Sequence, residues 1–344
     1  MRVTRGNPLL MAMMLSAGIA FLAPCVPPRA LPSWKLKMAA EPLDSAMMGR
    51  RDVLVTITSA VLGTAVIAGA GAGVDIVSGT ETAASAAEIG SDDSPIAVVG
   101  AGGKTGKLAV EGLLRRGKAV RAVTRTGEFS FPKAADSEGI LSRAAGDVTK
   151  TETLKQALAG CSAVLFCASA SKKGGNAEMV DYKGVLNTAQ ACVDLGVPRL
   201  VVISSGAVTK PDSIGYKVTN LFGNIMTLKR QGELGLQEIY ANAPKGVTYT
   251  IVRPGGLTDG PSVGPKGIEL NQGDTIGGTI NRVDVAEVMV EAAFSPATEN
   301  TVFELYDKST GGPLQGGFAK PSGYEHIGDT YSAMFKGLRK DVGL

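Results

Sequence analysis

The whole chain of 344 residues holds one histidine, His326. It lies far along the chain in a glycine-rich tail, so a nucleophile–His–Asp relay, which is built around an imidazole, is not expected. Four cysteines occur, Cys25, Cys161, Cys167 and Cys192, and no two of them have CxxC spacing. A disulfide framework and a zinc centre are therefore excluded as organising principles. The three later cysteines read as small buried apolar residues. Excess charge is also missing: Lys and Arg number 35 and Asp and Glu 32. With no basic stripe and no aromatic-interleaved patch, nucleic acid is not an expected partner.

The first ninety residues lack the periodicity of a folded domain. Arg2 and Arg5 precede an apolar run, Leu9 to Ala23, followed by Pro24. That is a charged n-region and an h-region too short to span a bilayer. Residues 31–48 are mixed and aperiodic. Arg50-Arg51 then leads a second apolar stretch, Val53 to Val74, with small residues at Ala84-Ser85-Ala86. The array resembles a multipart plastid-targeting presequence: a signal-like region over 1–30, then a transit and thylakoid-type region over 31–90. Phe21, before Leu22-Ala23-Pro24, suits import signals of secondary plastids. A soluble mature chain beginning between about Ala84 and Asp93 is expected, in the plastid, with thylakoid association, envelope association and a lumenal location left open. The alternative reading of 53–74 is a membrane anchor, since that stretch is long enough to span.

What is present begins at Pro95. Ile96-Ala97-Val98-Val99 is an apolar β-branched run of the kind found in buried parallel strands. Gly100-Ala101-Gly102-Gly103-Lys104-Thr105-Gly106 follows, and then an amphipathic segment through Leu108, Val110, Leu113 and Leu114. Arg115-Arg116-Gly117 gives that helix a basic last turn and a glycine stop. A second strand, Ala119 to Thr124, completes a βαβ unit. Glycines between strand and helix allow a tight turn. They also let backbone approach a pyrophosphate held at the helix N-terminus.

From there strand and helix alternate every twenty to thirty residues, the pattern of a doubly wound parallel sheet. Strands are expected at 142–145, 163–167, 200–203, 248–252 and 301–305. Helices are expected at 154–158, 179–195, 225–242 and 283–293. The fold class is α/β, a Rossmann-like single domain over 93–308. Beyond Ser309 the Gly/Pro-rich residues 309–344 read as a loosely held tail.

The motifs Gly100-x-x-Gly103-x-x-Gly106, Asp147-Val148, Val180-Asp181-Tyr182-x-Gly184-x-x-Asn187, Val202-x-Ser204-Ser205, Tyr249-Thr-x-x-Arg253-Pro-Gly-Gly256 and Arg282-x-Asp284-Val285-Ala286 occur in this order. Together they resemble the atypical short-chain dehydrogenase/reductase family, of the NmrA-like NAD(P)-binding type, with particular likeness to its plastid members. The resemblance covers about 93 to 308. It implies cofactor contacts at Gly100, Gly102, Gly103, Lys104, Thr105 and Gly106. It places Asp147 and Val148 beside the adenine, where a plain turn is the alternative. Ala168 and Ser169 would border ribose and phosphates, and Pro254 and Gly255 the nicotinamide end. An NAD-binding chain places an acid at the tip of the second strand, for the ribose 2′-hydroxyl. Arg125 stands here instead, suited to a forked contact with a 2′-phosphate, which makes NADP(H) the expected cofactor.

Members with the full catalytic set use a Ser and a Tyr-x-x-x-Lys pair, in which the phenol gives a proton to the substrate oxygen. Ser204 or Ser205 fits the serine and Lys229 the lysine, as a cofactor-ribose contact. Ile225 occupies the tyrosine's place. Tyr216 precedes Asn220 rather than a lysine, so its spacing fails. Lys229 and Glu233 also form an i,i+4 pair that stabilises a helix without chemistry. Two functions stay open. One is an oxidoreductase acting on a quinone or flavin, which needs no phenol. The other is a non-catalytic NADP(H)-binding redox-sensing or assembly protein. No metal site is expected.

Overall fold

The computed structural model describes residue 89 and residues 94–130, 139–170, 176–221, 223–314 and 325–341. The targeting regions over 1–30 and 31–90, with their apolar stretch at 53–74 and the cleavage window, lie outside these residues except for Ile89. Among the described residues no helix is long and apolar enough to cross a membrane.

The chain runs β1 (Ile96–Val99), α1 (Lys104–Arg115), β2 (Val120–Thr124), β3 (Leu141–Ala145), α2 (Thr151–Leu158) and β4 (Ala163–Phe166). A π-turn (Glu178–Tyr182) continues directly into α3 (Lys183–Leu195), followed by β5 (Arg199–Ile203), α4 (Ile214–Asn220) and α5 (Ile225–Ala241). Then come β6 (Thr248–Pro254), β7 (Gly256–Thr258), α6 (Gly264–Gly267), β8 (Ile268–Asn271), β9 (Ile276–Gly277) and β10 (Thr279–Asn281). The last elements are α7 (Arg282–Phe294), β11 (Thr301–Asp307), β12 (Gly312–Pro313), β13 (Glu325–His326) and α8 (Tyr331–Phe335).

Nine strands form the main sheet in the order β13-β8-β11-β6-β5-β4-β1-β2-β3. Strands β3 to β11 in that list run parallel, and β8 and β13 join antiparallel at one edge. The reversal of order between β1 and β4 is the switch point at which doubly wound sheets open a crevice. Alternation along β1 explains the two layers. Ile96 and Val98 face α1 and α7, while Ala97 and Val99 face the side of α2, α3 and α5. Successive strand side chains point to opposite faces, so a fully apolar strand feeds two cores at once. On the first face α1 lies along α7, and Arg116 ties them by contacts to Glu287 (2.7 Å) and Glu291 (2.6 Å).

Two differences from the sequence reading stand out. The antiparallel strands and small ladders between Gly256 and Asn281 carry no sequence signal of their own. They are two to four residues long, set among glycines and prolines, and are defined by their partners rather than by propensity. The far end of the tail is also not loosely held. Met334 and Phe335 are fully buried, with the Phe335 ring 5.9 Å from that of Phe303. Asp341 accepts from the Tyr249 hydroxyl at 2.9 Å and from Gln237. A few docking side chains in polar, glycine-rich surroundings are invisible to composition. Phe335→Ala is therefore expected to cost about 3–5 kcal/mol of stability, read by urea unfolding. Ile327→Ala, at an exposed position, serves as a near-neutral control.

Candidate dinucleotide and substrate site

Gly100 closes β1 with φ +80°, and a Cβ there would lie 2.8 Å from Ala168 Cα and N. Only glycine lets the tips of β1 and β4 touch in this way. At Gly106 a Cβ would sit 2.3 Å from the Gly100 carbonyl oxygen. Thr105 and Gly106 are buried, and Gly102 and Gly103 are exposed. Gly103 caps α1 without a side-chain bond, and no acid stands in the first turn. The first-turn N–H groups and the positive end of the helix dipole are left for an anion. An exposed, uncapped glycine loop of this kind fits a dinucleotide pyrophosphate. Lys104 is engaged elsewhere: its Nζ lies 2.9 Å from Asp259 beyond β7, and Asp259 also takes Arg282 at 2.6 Å.

At the tip of β2 Arg125 is exposed, with its positive charge near Asp147. Asp147 accepts from the Thr149 N–H (2.9 Å) and hydroxyl (2.8 Å). The backbone bond, foremost, holds its carboxyl below the ordinary value. The turn role is thus present. Val148 is buried beneath α3, and its carbonyl accepts from Asn187 Nδ2 at 2.9 Å.

The sequence reading missed the importance of Asp181. A π-turn inserts one extra residue into a helical turn and shifts the side-chain phase. Here Asp181 lies in that turn and is 1% exposed. Its carboxylate accepts from Ser169 Oγ (2.8 Å) and the Ala170 N–H (2.9 Å), at the end of β4. It also pairs with Lys229 Nζ at 2.8 Å. Lys229 therefore does not pair with Glu233. The Asp181 signal was inside the Val-Asp-Tyr motif, but nothing local marks its partners.

The two serines after β5 part company. Ser204 is buried and makes no well-directed hydrogen bond, though it lies close enough to Glu233 to favour that carboxylate's charge. With Asp181, Lys229 and Glu233 it borders an internal gap of about 10 Å³, the size of one water. Ser205 donates to the Gly206 carbonyl at 3.1 Å and borders a much larger cavity of about 470 Å³. Six glycines line that cavity, with Met226, Leu257, Ile276 and Leu314 among its apolar walls. It opens beyond the carboxyl ends of β5 and β6, where open α/β sheets bind ligands.

Arg253 forms the floor. Its Nε and Nη2 bond Glu233 at 2.9 and 2.7 Å, and its Nη1 bonds Glu304 at 3.0 Å. Gly255 donates its N–H to Leu305 O (2.9 Å), and the Pro254 carbonyl accepts from Gly206 (2.8 Å). A Cβ at Gly255 would meet Gly278 O at 2.3 Å, so the wall closes only around glycine. Tyr216 ends on Thr227 Oγ1 at 2.8 Å. Cys161 and Cys192 are buried and Cys167 half-buried, and desolvation raises all three thiols. Among the described residues no group of acids, cysteines and histidines is arranged to hold a metal.

This geometry defines a dinucleotide-binding domain of the oxidoreductase type. A family described as NAD(P)H-binding matches residues 100–296. The chain belongs to that family, as a plastid-type atypical short-chain dehydrogenase/reductase. An uncharacterized chloroplastic protein of Arabidopsis thaliana is 34% identical over 60% of this chain and 75% of its own length. Sanguinarine reductase of Eschscholzia californica is 29% identical over 62% and 88%. The solved oxidoreductase of Lactococcus lactis shares the fold, with TM-score 0.53 and 21% identity over 62% of this chain and 91% of that one.

Asp181→Ala is expected to cost about 3–5 kcal/mol, because it strands a buried ammonium. Adding Lys229→Met should recover most of that loss in urea unfolding. Failure to recover would show that Asp181 acts through Ser169 and Ala170 alone.

Proposed function

We propose that this chain is an NADPH-dependent oxidoreductase of the plastid whose acceptor is a planar, apolar quinone or flavin. One observation carries the reading. A glycine-walled cavity of about 470 Å³ lies at the carboxyl end of the same sheet as the phosphate loop, while Ile225 stands where a phenol would serve Lys229. Glycine walls present flat backbone, which suits a flat ring system. NADPH supplies a hydride. A reduction that leaves charge spread over a ring does not need the phenol, whereas a ketone alkoxide does. Ser205 and Arg253 would orient the acceptor's oxygens from one side, and Gly102, Gly103 and the first turn of α1 would hold the pyrophosphate. The presequence and the chloroplastic relative support the plastid.

Steady-state rates test this reading. Quinone or flavin acceptors should exceed simple ketones by more than tenfold in kcat/KM. Efficient ketone reduction abolished by Tyr216→Phe would overturn it. The second reading, a redox-sensing or assembly protein that binds NADP(H) without turnover, has one observation in its favour: Asp181 neutralises Lys229, and Ser204 is withdrawn from the cavity. Micromolar NADPH binding with no turnover on any acceptor would decide for it.

Arg125 supports the choice of NADP(H). Binding should be stronger for NADP(H) than NAD(H) by at least ~1.4 kcal/mol, a factor of ten. Arg125→Asp should remove that difference and leave NAD(H) nearly untouched, as read by nicotinamide fluorescence. Equal affinities in the wild type would refute the assignment.

A further inference from the structure

Among the described residues, three of the four most exposed large apolar side chains lie together on one short helix. They are Ile214 (80%), Val218 (52%) and Leu221 (82%), in α4 and at its C-terminal end. The spacing i, i+4, i+7 gathers them into a single stripe. Scattered apolar side chains on a surface are ordinary, but a contiguous row of them marks a contact surface. Core packing does not account for the row, since α4 buries none of its own residues.

The helix is held in place from its other sides. Tyr216 and Asn220 both reach Thr227 of α5, at 2.8 and 3.1 Å, and the Ser213 hydroxyl caps the first turn. Gly215 and Thr219 border the 470 Å³ cavity. Each follows a stripe residue by one position, about 100° round the helix, so the cavity-lining row and the apolar row are neighbours. The floor of the cavity is polar and stiff by contrast. There Glu304 accepts from Arg253 Nη1 at 3.0 Å and from the Asp274 N–H at 2.9 Å. Asp274 in turn accepts from the Ala207 N–H at 2.5 Å, which fixes the loop that carries Ser205. Polar groups at the floor and an apolar row beside the rim describe a ligand with two parts.

We propose that the acceptor is a quinone with an aliphatic tail, its ring in the cavity and its tail along Ile214, Val218 and Leu221. The proposal rests on the reading that an acceptor is reduced in this cavity, and it narrows the class of that acceptor. From Ile214 to Leu221 the helix rises about 10 Å, enough to cover the first several carbons of a chain. Two other occupants fit less well. A standard protein interface takes about 800 Å² from each partner, well beyond three side chains. Helices that lie on bilayers carry many Lys and Arg on the polar face. Here the one basic residue of α4, Lys217, stands 4.0 Å from Asp212.

The test uses the full chain, NADPH and two benzoquinones with the same ring, one of them bearing a decyl tail. Burying two methylenes is worth about tenfold in affinity. The decyl quinone should therefore exceed the untailed one by at least ~10-fold in kcat/KM, through a lower KM. Combining Ile214→Gln, Val218→Gln and Leu221→Gln should bring that ratio close to one. Ile327→Gln, at an exposed apolar position elsewhere, should leave the ratio standing. Calorimetric titration of the two quinones, which needs no turnover, should show the same preference and the same loss. Equality of the two quinones in the wild type by either measure overturns the proposal. So does a ratio that survives the triple substitution, and if quinone-free lipid vesicles bind the wild type but not that variant, the stripe belongs to a bilayer instead. Turnover of flavins but of neither quinone overturns the proposal alone. A wild type inactive on every acceptor overturns the underlying reading as well, which separates the two failures. Where the triple variant does not fold, Leu221→Gln alone should lower the ratio, and an unchanged ratio overturns the proposal.

Discussion

The guanidinium of Arg253 is the constraint on which the walls of the 470 Å³ cavity depend. It sits between carboxylates from two other elements, Glu233 of α5 and Glu304 of β11, and all three groups are almost wholly buried. Buried ion clusters contribute little net stability, because desolvation offsets much of the attraction, but they tolerate very little displacement. Moving α5 or β11 would strand a charge. The cluster therefore fixes the cavity floor, and through the Glu304–Asp274 contact it fixes the serine loop as well.

At the two ends of the site the family pattern fares differently. The glycine loop has the local form the sequence leads one to expect: a left-handed Gly100, an uncapped α1 and, at the tip of β2, an exposed Arg125. Around Lys229 and the two serines the arrangement departs from that expectation. Lys229 is paired with Asp181, Ser204 has turned inward, and Ser205 alone of the two serines borders the cavity. Asp181 links these halves, since one carboxylate holds both Lys229 and the Ser169–Ala170 loop at the end of β4.

What the sequence made legible was local. The strand–glycine–helix order from Ile96 to Arg115 and the basic tip at Arg125 follow from neighbours in the chain or from a motif. What it hid was long-range. Arg253 and Glu304 are 51 positions apart, and Ala207 and Asp274 are 67 apart. Their residue types alone announce only solvated charges. Lys229 and Glu233 show the limit of local rules. The i,i+4 spacing favours a pair by a few tenths of a kcal/mol, which buried partners from other elements easily outweigh. Asp181 and Arg253 supply those partners.

The two ends of the main sheet also bear on how copies of this protein behave when crowded. An open strand edge is a template for pairing with another chain. On one side β3 is five residues long, with Ser142 and Arg143 exposed and the Arg143 Nε bonded to the Phe129 carbonyl. On the other, the two-residue β13 pairs with Leu270 and Asn271 of the wholly buried β8. Short, polar or covered borders give a second sheet nothing to extend. Both borders of this nine-stranded sheet thus present short or polar strands, which are poor templates for pairing with another chain.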